Sequence, residues 1–507
     1  MQTSRKVIFN SIILYAKVII TLLLSLVSMP IILRALGESD YGLYNLIAGI
    51  ITMLAFLNAS MAVSTQRFLS VAIGEGNEHH LNVIYNCAIV LHLLIGGIVV
   101  VLFEICYFFL FDSFLSIEPD RVATAKRIYQ FLVISTFFTV LSVPYSAVMN
   151  AKEDMLAFSV IDILDAVLKL VLALYLTICP YDRLLVYGLL MATIAVMNTL
   201  INRFYVRIKY PDFRLNIKCF FEKKTFHDLF AFAGWNTLGS LSVVGKNQGV
   251  AIVFNVFCGT VANAAYGIAN QISGILSNFS STFQKALNPQ LMKSEGMKNR
   301  ERLIRISMMS SKVSVLVLAF FAIPLVLEMH YVLLIWLKDI PEHTLRLSQF
   351  VIINAIVFQY SVGLMSGIQA TGKIRDYFMI ISILYIINIP LSYLLLKEGF
   401  PLHFCIIGFI SIELIALIFR IGLCKKIIGL NPMLFLKDVV FPTMGCILLS
   451  LAFSLPFHLF MKESMMRVVV VTISYLLVFC CTSWLFALDS SQKTIVIDFT
   501  SFLRCKH

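Results

Sequence analysis

Fourteen separate apolar stretches occupy most of this 507-residue chain, and the connections between them are mostly short. Each stretch is about 20 residues or longer, which is the length that a helix needs to cross roughly 30 Å of hydrocarbon. Hydrophobic residues make up 59% of the chain and charged residues only 13%, whereas soluble domains carry about 25% charge. The pattern therefore predicts an all-α integral membrane protein with no soluble domain to carry chemistry.

Short polar segments, such as Gly74 to Asn77 and Pro180 to Asp182, separate the predicted spans. In chain order the spans are 8–33, 42–64, 83–111, 124–149, 155–178, 183–206, 228–257, 262–288, 308–336, 346–371, 376–396, 402–423, 436–459 and 466–487. The net charge of +12 is assigned to basic loops beside anionic lipid head groups, so no nucleic-acid partner is expected. The eleven cysteines form no CxxC or CxxH pair, which predicts neither a disulfide framework nor a metal site.

The loop charges predict the orientation in the membrane. Lysine and arginine cluster in loops 203–224 and 293–305, on the same side as Arg5 near the N-terminus and Arg504 and Lys506 near the C-terminus. The opposite loops 37–41 and 258–261 contain no basic residue. Because basic loops stay in the cytoplasm, both termini are predicted to be cytoplasmic.

A short motif that occurs twice, called the echo below, predicts two similar halves. Gly37 precedes Tyr44 by seven residues at the first hairpin, and Gly259 precedes Tyr266 by seven residues, 222 positions later (259 − 37). This offset spans six helices, and an even number per repeat gives parallel repeats. The predicted domains are an N-terminal lobe of helices one to six (1–207), a basic amphipathic cytoplasmic linker (208–227), a C-terminal lobe of helices seven to twelve (228–425), and two final helices with a cytoplasmic tail (426–507).

Buried cations are the main candidates for ligand binding, since catalytic motifs such as a phosphate loop, GxSxG or HExxH are absent from the sequence and no enzyme is predicted. A charge at mid-bilayer costs roughly 2.5–3.5 kcal/mol on insertion scales, so each one is expected to face a water-filled cavity or a partner. Lys17 and Lys246 lie in the first helix of each half, and Arg67 and Lys285 lie towards the cytoplasmic ends of the second helices. Together they would line a basic vestibule for phosphate, unless Arg67 and Lys285 extend to the interface as helix-end residues.

Helix five places Asp162, Asp165 and Lys169 on one face. Either Asp165 and Lys169 neutralise one another and leave Asp162 for Lys17 or Lys246, or one of the acids binds the H⁺ or Na⁺ that couples transport. The interior amides Asn247, Gln248, Asn270 and Gln271 suit contacts with a glycan, and they equally suit hydrogen bonds between helices. No other cofactor is predicted.

Two motifs carry a family resemblance. They are the run Pro30 to Gly37 followed by Tyr41 to Asn45, and the run Tyr266 to Ile272 followed by Asn288 to Leu291. With the six-plus-six-plus-two layout, the chain resembles the Wzx-type O-antigen and polysaccharide flippases of the multidrug/oligosaccharidyl-lipid/polysaccharide (MOP) exporter superfamily. The resemblance implies a MATE/MOP-like fold of two six-helix lobes that open alternately to each side of the membrane.

The resemblance also implies the cargo and its surroundings. The cargo would be an undecaprenyl-diphosphate-linked oligosaccharide for O-antigen of lipopolysaccharide, capsule or exopolysaccharide. It would move from the cytoplasmic to the periplasmic leaflet of the bacterial inner membrane by alternating access. The implied partners are membrane lipids, a polysaccharide polymerase and a chain-length regulator.

Three other functions remain to be compared with this one. Cation-coupled multidrug (MATE-type) antiporters share the fold but use acids in the N-terminal lobe, often in helix one, where this chain has Lys17. A lipid II flippase shares the basic cavity and is not separated by sequence. A polymerase or ligase needs a large outward loop, and the largest outward loop here, near 111–123, is small.

Overall fold

The computed structural model describes residues 2–52, 55–111, 117, 119–489 and 493, and these residues are almost all helical and form no β-strand. The all-α membrane class is therefore confirmed. The helices are α1 (Gln2–Leu36), α2 (Glu38–Thr52), α3 (Ala55–Glu75), α4 (Glu78–Phe109), α5 (Val122–Ala151), α6 (Met155–Ile178), α7 (Arg183–Lys209), α8 (Ile217–Phe220), α9 (Lys223–Gly296), α10 (Arg300–Leu327), α11 (Met329–Leu337), α12 (Thr344–Thr371), α13 (Arg375–Lys397), α14 (Leu402–Ile428), α15 (Pro432–Phe435), α16 (Phe441–Phe460) and α17 (Met465–Thr482).

Eleven helices within the described ranges are long and apolar enough to cross a membrane. One of them, α9, changes direction at Gly259 and contains both the seventh and the eighth predicted span. The predicted spans 42–64 and 155–178 fall on α2 with α3 and on α6, which are not among these eleven helices. The charges of α6 are Asp162, Asp165 and Lys169. The chain is a multi-pass membrane protein.

A glycine in the left-handed region forms the turn at both echo positions. Gly37 has φ +82° and Gly259 has φ +73°, values that residues with a Cβ rarely adopt. The rings of Phe254 and Tyr266 lie 5.2 Å apart, whereas a continuous helix would separate these residues by about 18 Å. The chain therefore reverses at Gly259, and the repeated motif places a glycine with positive φ at each position.

The predicted single span 308–336 is wrong, because two helices, α10 and α11, meet at Glu328. Pro324 has no amide hydrogen for the helix ladder, and Glu328 leaves helical geometry at φ −100° and ψ 20°. The Glu328 carboxylate is buried and accepts hydrogen bonds from His458 at 2.8 Å and from Arg467 at 3.0 Å. Its charge is thus compensated by residues of α16 and α17.

The first compact unit comprises Asn10–Thr237 and is organised around α5, which packs against α3, α4 and α7. Tyr129 of α5 is fully buried, and its hydroxyl donates to the Phe103 carbonyl at 2.6 Å. At the start of α5, Arg121 donates to Asp40 at 2.8 Å and to Asp182 at 3.3 Å, and so ties together three connections of this unit.

The second compact unit comprises Leu238–His507 with Met1–Phe9, and α12 packs between α10 and α14 in it. The α10–α12 contact is close because it uses small residues. A Cβ at Gly363 would overlap the backbone carbonyl of Ser307. The Ser311 hydroxyl accepts from the Gly363 amide at 3.1 Å and donates to the Tyr360 carbonyl at 2.8 Å, and so bonds α10 to α12 at this contact.

The predicted linker folds back onto the N-terminal part of α4. Asn82 accepts a hydrogen bond from the Arg214 amide at 2.7 Å, and Asn86 accepts one from the Asn216 amide at 2.9 Å. Phe213 is buried, whereas other apolar residues of the linker, Leu215, Ile217 and Phe221, are exposed. The division between the compact units falls between Thr237 and Leu238, inside α9. The lobe boundaries expected from the sequence stay a prediction.

Some residues used for the predicted orientation lie outside the described residues. These are Arg504, Lys506 and the side chain of Arg5. Part of the outward loop near 111–123, residues 112–116 and 118, also lies outside the described residues. The cytoplasmic position of the linker and of both termini therefore stays a prediction.

The carboxylate of Asp154, between α5 and α6, accepts hydrogen bonds from four donors. It accepts from the hydroxyls of Tyr205 and Tyr210, each at 2.7 Å, from Lys209 at 2.9 Å, and from the Ala157 amide at 3.4 Å. Burial raises the pKa of this carboxyl, but the hydrogen bonds from Tyr205, Lys209 and Tyr210 outweigh burial and leave the pKa below its ordinary value. Ionised Asp154 therefore stabilises this connection.

We expect Asp154→Asn to lower the free energy of unfolding at pH 7 by about 1–3 kcal/mol, because asparagine keeps the helix cap but loses the charge-assisted bonds. A depressed folded-state pKa contributes stability above the unfolded value of about 3.9, and this contribution is lost as the pH falls through the folded-state pKa. The difference in thermal midpoint between wild type and variant should therefore shrink below about pH 4. Asp212→Asn, at an exposed and weakly paired carboxylate, is the control. A difference that persists unchanged in acid would contradict this account.

Candidate functional site

Lys17 lies in the apolar span of α1 and is paired with a carboxylate of α6. Its Nζ is 2.5 Å from Asp162 Oδ2 and 4.6 Å from the centre of the Phe158 ring, and the Lys17 side chain is only 13% exposed. An unpaired charge in a membrane span is costly, so the pair explains how both residues are accommodated. The charge of Lys17 is compensated within the N-terminal unit.

A second ion pair follows on the same face of α6. Lys169 Nζ lies 2.7 Å from Asp165 Oδ2, and the Asn198 amide of α7 donates to Asp165 Oδ1 at 3.3 Å. The spacing in the sequence allowed either mutual neutralisation or a carboxylate that binds a coupling ion. The structure shows the ion pairs, Asp165 with Lys169 and Asp162 with Lys17. The four charges sum to zero.

All four charged residues line one cavity of about 420 Å³ inside the N-terminal unit. Its α1 wall consists of Lys17, Thr21, Ser25, Ser28 and Ile32, whose spacing places them on one helical face. The other lining residues are Met29, Tyr41, Asn45, Ala166, Tyr187 and Met191. Ser25 and Asn45 are exposed, so the cavity is open to small molecules.

Lys246, in the first half of α9, has surroundings of a different kind. Its ammonium lies 5.3 Å from the Tyr385 ring centre and 5.5 Å from the Phe409 ring centre, and the residue is half-buried. No other described residue forms a hydrogen bond or an ion pair with its side chain. Cation–π contacts stabilise the charge without neutralising it.

An acid bonded to Tyr385, beside this lysine, is paired with another cation. Glu413 of α14 forms an ion pair with Arg420 of the same helix at 2.5 Å, and both are almost fully buried. Arg420 also donates to the hydroxyls of Ser361 at 2.8 Å and Tyr385 at 2.9 Å. With Glu413 held in this way, its ion pair is with Arg420 and not with Lys246.

The sequence model of the family described as polysaccharide biosynthesis protein matches residues 7–295. This segment is more than half of the 507-residue chain. The chain belongs to the polysaccharide biosynthesis protein family. The matched segment contains the turns at Gly37 and Gly259, the N-terminal cavity and Lys246, and the family resemblance inferred from the sequence motifs is confirmed. No curated protein matches the sequence.

Solved structures show which fold this member of the family has. A crystal structure of a mutant MATE protein aligns with a TM-score of 0.72 at 15% identity, covering 84% of this chain and 96% of that one. An outward-facing multidrug resistance MATE family transporter of the MOP superfamily aligns at 0.71 and 14% identity, with the same coverage. A MOP superfamily transporter from Pyrococcus furiosus, described by the reverse polarity of its binding pocket, aligns with a TM-score of 0.71 at 15% identity. The alignment again covers 84% of this chain and 96% of that one. The fold is that of membrane transporters of the MOP superfamily.

The remaining predicted site residues of this family member lie in varied surroundings. The Arg67 guanidinium sits over Phe68 at 4.5 Å and Phe232 at 5.4 Å, whereas Lys285 is exposed on α9. Asn270 donates to the Tyr266 carbonyl of its own helix at 3.0 Å. Asn247 is half-buried, and Gln248 and Gln271 are exposed. Phosphate or glycan contacts at these residues stay predictions.

Two buried cations, Arg420 and Lys312, were not among the site residues predicted from the sequence. Arg420 pairs with Glu413, and Lys312 of α10, which is 3% exposed, lies 3.3 Å from Asp489. Both cations fall inside predicted spans, so the rule that singled out Lys17 and Lys246 applies to them as well. The seven-residue spacing of Glu413 and Arg420 also places them on one helical face, which is a signal for their pairing.

Proposed function

We propose that this protein is a flippase for lipid-linked oligosaccharides that carry a diphosphate, working by alternating access in the bacterial inner membrane. The observation that supports this most directly is Lys246, a half-buried cation that lacks an anionic partner among the described residues of a chain in the polysaccharide biosynthesis family. The cargo would be the undecaprenyl-diphosphate-linked repeat unit of O-antigen, capsule or exopolysaccharide. It would move from the cytoplasmic to the periplasmic leaflet.

The ammonium of Lys246 is suited to bind a phosphate group. A lysine ammonium is a compact point charge that binds phosphate well, and its three hydrogens reach several oxygens of one group. Tyr385 and Phe409 hold the ammonium through their ring faces and leave those hydrogens available to a ligand. A diphosphate would complete the ion pair that the protein itself does not form at Lys246.

A cation-coupled multidrug antiporter is the second candidate, supported by the MATE-type solved structures and by Asp162 and Asp165. Such a transporter needs a carboxylate that is available to a cation. Both carboxylates lie in ion pairs, with Lys17 and Lys169, so a cationic drug would have to displace a lysine from its partner. The charge balance of the cavity therefore favours the flippase over the antiporter. A lipid II flippase would use the same diphosphate chemistry and differs only in the group attached to it.

The test is transport by the full-length protein in proteoliposomes, with a fluorescent undecaprenyl-diphosphate oligosaccharide in one set and ethidium in the other. We expect the lipid-linked oligosaccharide to cross the bilayer faster than in protein-free vesicles, and ethidium not to accumulate. Imposed H⁺ and Na⁺ gradients test coupling in the same vesicles. We propose that one of these gradients drives transport through Asp162 or Asp165, and a rate that ignores both gradients would remove this coupling. Gradient-driven ethidium uptake without lipid movement would establish the antiporter instead.

A further inference from the structure

The charges in the N-terminal cavity cancel in adjacent pairs. Lys17 meets Asp162 at 2.5 Å and Lys169 meets Asp165 at 2.7 Å. A phosphate would have to separate a lysine from its carboxylate, and an organic cation would have to separate a carboxylate from its lysine. The cavity therefore disfavours ligands of either charge, although it is lined by four ionised residues.

The α1 wall of the cavity presents hydrogen-bond acceptors. Thr21, Ser25 and Ser28 donate their hydroxyl hydrogens to carbonyls one turn earlier in α1, at 2.7–2.9 Å. Each hydroxyl oxygen keeps a lone pair, so it can accept but no longer donates. A ligand with several O–H donors complements this wall.

Other lining residues provide hydrogen-bond donors for the oxygens of a ligand. The ammonium groups of Lys17 and Lys169 carry three hydrogens each, and an ion pair uses only part of them. Asn45 of α2 is exposed into the cavity, and its side chain bonds to no other described residue. The amide offers two hydrogens and one acceptor at the same place.

Apolar and aromatic groups complete the lining. Tyr41, Tyr187, Met29 and Met191 provide surfaces against which the C–H faces of a sugar ring can pack. The volume of about 420 Å³ falls within the range of about 300–1,000 Å³ that is usual for small-molecule sites. Paired charges, hydroxyl acceptors, amide donors and apolar faces together match a neutral molecule rich in hydroxyl groups.

We propose that the N-terminal cavity is a saccharide subsite that binds part of the glycan of the transported lipid. The inference rests on the proposed function and deepens it, because it assigns sugar recognition to the N-terminal unit and leaves the diphosphate to Lys246. Selectivity among glycans would then depend on the side chains that line this cavity.

The experiment is saturation-transfer NMR on the full-length protein in nanodiscs, with a lipid-free oligosaccharide repeat unit prepared from the surface polysaccharide of the host. Methylenediphosphonate, a diphosphate analogue with C–H hydrogens, and tetraphenylphosphonium serve as anionic and cationic probes. We expect transfer to the oligosaccharide that depends on the cavity, transfer to the diphosphonate that depends on Lys246 and not on Ser25, and none to tetraphenylphosphonium. Asn45→Ala should weaken oligosaccharide binding roughly ten-fold, as expected for lost hydrogen bonds, and Ser25→Trp, which fills the cavity, should abolish it. Thr193→Ala, an exposed hydroxyl of α7 outside the cavity, should bind as wild type does.

Equal oligosaccharide affinity in wild type, Asn45→Ala and Ser25→Trp would overturn the subsite. Binding of tetraphenylphosphonium or methylenediphosphonate that Ser25→Trp removes would overturn it too. Where Ser25→Trp fails to fold, the conservative Asn45→Ala decides. The flipping assay separates the two proposals: wild type that does not move the lipid-linked oligosaccharide removes the proposed function. Normal flipping with cavity variants that bind the oligosaccharide like wild type removes only the subsite.

Discussion

Lys246→Ala is expected to abolish transport of the lipid-linked oligosaccharide while the protein accumulates to normal levels. The variant loses the half-buried cation that would pair with the diphosphate, and desolvated charge pairs of this kind are worth about 2–5 kcal/mol. The rate of flipping in proteoliposomes should therefore fall by roughly two orders of magnitude. In cells, surface polysaccharide should be lost.

Matched variants separate a binding role of Lys246 from a general effect of charge. Lys246→Arg keeps the charge and should retain part of the activity, and Lys397→Ala, at an exposed helix end, should behave as wild type. Lys17→Ala should also reduce transport, but for another reason, because it leaves Asp162 unpaired. The double variant Lys17→Ala with Asp162→Ala should then recover part of the activity, because it restores the charge balance but still lacks the Lys17 donor of the proposed saccharide subsite. Wild-type flipping by Lys246→Ala would eliminate the diphosphate site.

Arg420→Met is expected to lower the free energy of unfolding by about 3–5 kcal/mol, because it strands a buried carboxylate. Glu413 would lose its ion pair at 2.5 Å, and Tyr385 and Ser361 would lose a hydrogen-bond donor. The thermal midpoint of the purified protein in detergent is the measurement. We also expect reduced flipping, because a released Glu413 is free to pair with Lys246 and to compete with the diphosphate.

The double variant Arg420→Met with Glu413→Leu is the control for this effect. It removes both charges and fills the space with apolar atoms, which is often neutral for stability. The thermal midpoint should return close to that of wild type. A single Arg420→Met variant that melts like wild type would contradict a structural role for the pair.

Much of the architecture could be predicted because membrane insertion is a local property. Twenty apolar residues predict a spanning helix whatever the rest of the chain does. Gly37 and Gly259 mark turns because a left-handed backbone requires glycine. The break at Glu328 was not predicted, because its apolar surroundings continue on both sides and only the long-range bonds to His458 and Arg467 stabilise the buried carboxylate there.

The candidate site could be predicted only in part, for the same reason. Helical spacing brings Asp165 and Lys169 together four residues apart, and this pairing follows from α6 alone. The partner of Lys17 lies 145 residues away, and Glu413 could have paired with either Lys246 or Arg420. Which cations are compensated depends on how helices pack, since an ion pair forms only between groups that the fold brings within about 4 Å.

By itself, the sequence determined that this chain is a multi-pass helical membrane protein with hairpin turns at two glycines and cations buried in its spans, because apolar length, glycine geometry and the cost of buried charge are local. Only the tertiary structure decided that Lys17 is paired with Asp162 while Lys246 lies beneath two aromatic rings. That difference arises from contacts between helices far apart in the chain, and it is the basis for proposing that an anionic cargo binds Lys246 and not Lys17.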